Sequence, residues 1–148
     1  MEGLLGTVAI ANAKLAYKKF QEIFASSEFQ SLKIQGARVQ RVLWASTGTK
    51  NPKYPDTYYV DNLIGPDTVN TMPEATFAAF RDHGTVKNTI QEGLAEAKVT
   101  MQRLTEAGIS MEEVTETLLK DGAKLFADAF EQLMEVLSRK RTSVLEAK

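Results

Sequence analysis

The chain has 148 residues, 43% hydrophobic and 25% charged, with a formal net charge of -1 and no cysteine. That is enough for one domain, residues 1–148, burying roughly two-thirds of its unfolded surface. Near-neutral charge argues against a nucleic-acid partner, the lack of cysteine excludes disulfides and thiolate metal sites, and no window of about eighteen apolar residues predicts a membrane span. A cytoplasmic setting without metal or cofactor is the expectation.

From Val8 to Phe24, apolar positions at Val8, Ala11, Leu15, Ala16, Phe20, Ile23 and Phe24 recur at helical spacing, with Lys14, Lys18, Lys19 and Glu22 mostly on the other side. Ser27 is expected to cap a second short helix carrying Phe29, Leu32 and Ile34, which Gly36 ends. A β-type run from Val39 to Ala45 follows at once, a connection typical of α/β units. It stops at the polar string Ser46, Thr47, Gly48, Thr49, Lys50, Asn51 and Pro52.

Thr57 to Ile64 reads as two turns of helix with Asp56 as N-cap and Gly65-Pro66 as the stop. Thr68 to Thr71 forms a second short run, closed by Met72 and Pro73; a helix from Glu74 to Asp82 then uses Phe77 and Phe80 as buried anchors. The rest is helical. Ile90, Leu94, Ala97, Val99, Met101 and Leu104 trace one helix ending at Gly108, and a capping box of Ser110 and Glu113 opens another that runs to about Arg139, with Gly122 a possible break. These two are expected to be long and antiparallel, and the tail from Lys140 to Lys148 to fray. A partial α/β region over residues 1–84 and a helical part over 85–148 is the predicted organisation.

The chemistry concentrates after the first strand. Ligands of parallel α/β proteins gather at the carboxyl ends of strands, where loops and helix N-termini converge. Ser46, Thr49, Lys50 and Asn51 stand there, and hydroxyls, amides and one ammonium suit a phosphate. The same string also reads as an exposed turn whose hydroxyls satisfy the backbone, since it matches no Walker or dinucleotide fingerprint. Lys50 is poorly placed for a Schiff base, which favours an apolar strand; a charge for phosphate and a solvated lysine both remain open. Asn70 and Thr71 either face the same site or only serve the turn. His83 reads as a helix-end cap, Asp56, Asp61 and Asp67 as capping and turn residues, and Trp44 as core.

Residues 43–84, LWASTGTKNPKYPDTYYVDNLIGPDTVNTMPEATFAAFRDHG, closely resemble the transaldolase family, in particular its longer bacterial branch. AIANAKLAYKKFQEIF at 9–24, GARVQR at 36–41 and the closing helices are similar to the same enzymes. The resemblance implies the C-terminal part of a (β/α)8 TIM barrel, its last two strands at Val39–Ala45 and Thr68–Met72, followed by long terminal helices, mostly helical in isolation. It implies a transferase of the pentose phosphate pathway that passes a dihydroxyacetone unit between sugar phosphates through a lysine Schiff base, in the cytoplasm and without metal.

Carried over by residue, Ser46 matches the family's phosphate-contacting serine. Short members follow that serine closely with an arginine; here the loop is longer and Lys50 is the nearest cation. The family's Schiff-base lysine, acid/base aspartate and glutamate, and phosphate-binding arginine fall upstream of Met1 in this alignment, so no catalytic residue is assigned. A fructose 6-phosphate or sedoheptulose 7-phosphate type of ligand is expected, with an N-terminal transaldolase segment or a second copy as protein partner. The alternative is a non-catalytic helical module that self-associates over its strand edges or binds a sugar phosphate.

Overall fold

The computed structural model describes residues 2–146. The chain divides between Ala107 and Gly108 into two compact units. The first begins with a short 3-10 turn at Glu2–Leu4, then α1 (Val8–Ala25), α2 (Ser27–Ile34), β1 (Val42–Trp44), α3 (Tyr58–Asn62), β2 (Thr68–Asn70), α4 (Glu74–His83) and α5 (Leu94–Glu106). The second is one helix, α6 (Met111–Glu146). The described residues are therefore mostly helical, with one small sheet in the first unit. No described helix is long and apolar enough to cross a membrane.

The sheet is parallel, with Val42, Leu43 and Trp44 opposite Thr68, Val69 and Asn70. Its strands are shorter than the apolar runs, because a ladder extends only as far as its partner and Val39 to Arg41 stay exposed beyond it. Thr71 continues the register by donating its N–H to the Trp44 carbonyl at 2.9 Å.

The core lies between α1, α3 and the segment before α5: Ile10, Tyr17, Phe20, Leu63 and Ile90, flanked by Val42 and Trp44 of β1 and by Tyr58 and Tyr59 of α3. Ile10, Tyr17 and Phe20 recur on one face of α1. A relay of aromatic contacts, Tyr17 to Phe20 to Phe24 to Phe29, with centroids 5.6, 5.1 and 4.6 Å apart, carries this core on to α2. Trp44 is half-buried at the core's edge.

Lys14 corrects the expected polarity of α1. It is buried against the start of α5, where its Nζ donates to the Glu92 carbonyl at 2.8 Å. Burial pushes its pKa below the usual lysine value, while Glu92 and Glu96 oppose that shift. Spacing placed the lysine on the polar side, but the aliphatic stem fits an apolar face once the ammonium finds an acceptor.

The segment ahead of α5 is pinned by Thr89. Its hydroxyl donates to the Asp61 carbonyl at 2.6 Å and accepts from Ile64 N–H at 3.2 Å, and the N–H groups of Thr89 and Ile90 both reach the Ile64 carbonyl. Ile90 is thereby driven to full burial. Gly65 allows this approach, since a Cβ there would collide with the Ile90 side chain.

Several caps differ from expectation. Ser26, not Ser27, caps α2, its Oγ accepting from Phe29 N–H at 3.2 Å. Asp56 does not cap α3; the cap position is Thr57, whose hydroxyl instead donates to Asp61 Oδ2 at 2.6 Å. In α4 the buried residue is Thr76, whereas Phe77 is 56% exposed. Helical spacing marks an apolar face without saying whether anything covers it. Ser110 does receive Glu113 N–H at 3.3 Å ahead of α6. Gly122 does not break that helix, and residues 140–146 are helical rather than frayed, with residues 147–148 outside the described part.

Candidate functional site at the carboxyl ends of the strands

Because β1 and β2 run in parallel, both chains leave the sheet at the same edge, β1 into the loop at Ser46 and β2 into Thr71 and the start of α4. The two exits are tied by Thr47. This buried residue donates its hydroxyl to Asn70 Oδ1 at 2.7 Å, with the Thr71 carbonyl at 3.4 Å. Asn70 and Thr71 therefore do belong with the loop.

Ser46 adopts a left-handed backbone conformation, φ 57°. For a residue with a Cβ that conformation is strained, and such strain collects where a side chain or amide must be aimed at something other than the protein's own ladder. Gly48 lies close to the first turn of α4: a Cβ there would stand 3.1 Å from both the Pro73 ring and Thr76 Oγ1. A side chain there would press on both, so glycine eases the approach of the loop to the helix N-terminus. Proline at the α4 cap position brings no side-chain cap, so N–H groups of the first turn remain for a ligand or water.

The loop forms a ridge between two cavities. One, of about 610 Å³, has an aromatic wall of Trp44, Tyr54 and Tyr59. The other, of about 520 Å³, is bounded by Thr71, Pro73 and Thr76. Ser46, Gly48 and Lys50 line both. Thr49 opens only to the second, and its hydroxyl is buried without a hydrogen-bond partner among the described residues, as is the Trp44 indole N–H. Asn51 lines only the first, and its side-chain oxygen is engaged by Lys53 N–H at 3.0 Å, an Asx turn that ends the loop. Lys50 is exposed on the ridge.

Spacing gave no sign of Gly6 and Tyr54. Gly6 has φ 79°, and a Cβ at that position would lie 2.9 Å from the Tyr54 ring. This contact joins the start of α1 to the aromatic wall, and Tyr54 in turn stacks on Tyr58 at 5.4 Å. The two positions are far apart in sequence, so no local pattern could pair them.

His83 lies elsewhere. Its imidazole bridges Asp56 at 2.9 Å and Asp82 at 3.1 Å on the exposed side of α4. The hydrogen bond to Asp56 raises the imidazole pKa, with Asp82 adding to the effect, and the same bond to His83 lowers that of Asp56. The residue clips the end of α4 to the residue preceding Thr57, and does not bond to the helix carbonyls.

A parallel sheet whose carboxyl edge opens into loop-lined cavities defines an α/β protein with its cavities at the strand ends, where ligands of such proteins gather. Comparison with known proteins gives the family. Residues 2–137 match the transaldolase/fructose-6-phosphate aldolase family, and the chain belongs to it. It is 51% identical over 134 residues to a transaldolase of Neisseria meningitidis serogroup C, covering 90% of this chain and 38% of that one. It is 47% identical over 137 residues to the transaldolase of a Parafrankia species, covering 92% and 37%, and 47% identical over 137 residues to transaldolase 2 of a Nostoc species, covering 91% and 36%. The chain thus spans a little over a third of the length of these relatives.

Proposed function

We propose that these residues form the phosphate-holding end of a transaldolase, a cytoplasmic enzyme of the pentose phosphate pathway that moves a dihydroxyacetone unit between sugar phosphates. In this reading β1 and β2 are the seventh and eighth strands of a (β/α)8 barrel. The lysine that forms the Schiff base, and the carboxylates that move protons for it, stand on strands other than these two.

The observation that carries the reading is Ser46, held at φ 57° on the ridge between two cavities at the carboxyl ends of parallel strands. Its hydroxyl and the loop amides would donate to phosphate oxygens, Lys50 would neutralise charge, and Thr49 would supply a further donor. Asn51 has a lesser part, shaping the loop through its turn. Holding the phosphate of a fructose 6-phosphate or sedoheptulose 7-phosphate type of sugar fixes the distant carbonyl carbon before the lysine, so that remote binding energy becomes orientation at the reacting bond.

Titration with inorganic phosphate and with fructose 6-phosphate tests this directly. Lys50→Ala and Ser46→Ala should each weaken binding of both by about tenfold, the loss of one charge-assisted hydrogen bond. Undiminished affinity in both variants would remove the assignment. Reduction with borohydride in the presence of fructose 6-phosphate should leave Lys50 unmodified; a stable adduct on Lys50 would make it the nucleophile.

A further inference from the structure

We draw no further inference here: the strongest candidate, the groove between α1 and β1, where Leu43 and Trp44 face Ala9 and Ala13 towards the loop and Phe20 and Phe24 towards the other end of the strand, is the place of a neighbouring strand in the barrel already proposed and restates that reading.

Discussion

The two units use the same raw material differently. In the first, α1 has an amphipathic pattern whose apolar side chains meet those of α3 and the segment before α5, and Ile10, Tyr17, Phe20, Leu63 and Ile90 close into a core. In the second, α6 has an equally clear pattern over a longer helix, and none of its residues is buried. A periodic sequence therefore specifies a face, while burial depends on a second element arriving at that face with matching shape. In the first unit the second element is delivered by hydrogen bonds between segments distant in sequence, above all those of Thr89, which bring Ile90 over Gly65.

The sharpest way to break this contrast is truncation of one apolar residue in each unit. Ile90→Ala should cost about 2–5 kcal/mol, the transfer and cavity terms of a fully buried aliphatic group, read by denaturant unfolding. Leu125→Ala, at a side chain 67% exposed, should leave the unfolding of the first unit unchanged and cost under about 0.5 kcal/mol. Equal costs in the two units would mean that α6 is as fully packed as α1. Next in size is Gly65→Ala, where the new methyl group meets Ile90 and should cost about 1–3 kcal/mol by overpacking. Ile90→Ala made together with it removes the Cγ2 that the new methyl group meets, so the double variant should lose less than the sum of the two single changes.

Thr47→Val comes third. It removes the hydroxyl that joins the two strand ends and leaves Asn70 Oδ1 without that donor, so about 1–2 kcal/mol of stability should go. Phosphate affinity should fall with it, since Thr47 holds Ser46 and Gly48 in place without lining the cavity that Ser46 and Thr49 share with the first turn of α4. A variant with lowered stability and unchanged phosphate affinity would separate the loop's geometry from the candidate site.

How far these features could be read from the chain depends on the range of the interaction behind them. The end of the apolar run at Ser46 and the glycine and proline punctuation that follows are local, and they mark the loop that lines two cavities at the strand ends. The family resemblance was carried by the same stretch. Lys14 was misread because a lysine on an apolar face is betrayed only by its acceptor, the Glu92 carbonyl at a separation of 78 residues. Asp56 was misread for a similar reason, as a cap is a local habit that the distant imidazole of His83 overrides. Phe77 failed in the other direction: its spacing was right for an anchor, yet it stands 56% exposed. The contact of Gly6 with Tyr54 left no trace in either neighbourhood.

The smallest expected effect tests whether pH separates the two units. His83 is the only histidine of the chain, and its clip to Asp56 belongs wholly to the first unit. Its folded pKa is raised above the usual 6.5, so its stabilisation is complete below 6.5 and is lost as pH rises through the raised value. Asp56 is held below the usual 3.8, so its share is present above 3.8 and is lost as pH falls through the lowered value. Both contributions are intact between about pH 3.8 and 6.5, and the upper limb alone falls within the range where most proteins are studied. Trp44, the only tryptophan, borders the first core and reports its unfolding by fluorescence. The midpoint it follows should decline slightly from pH 6 to pH 8.5 in the native chain and lose that slope in His83→Gln. Because both side chains are largely in solvent, the decline should also shrink in high salt. An identical slope in the variant would show that the ion pair contributes nothing to holding the end of α4 against the start of α3.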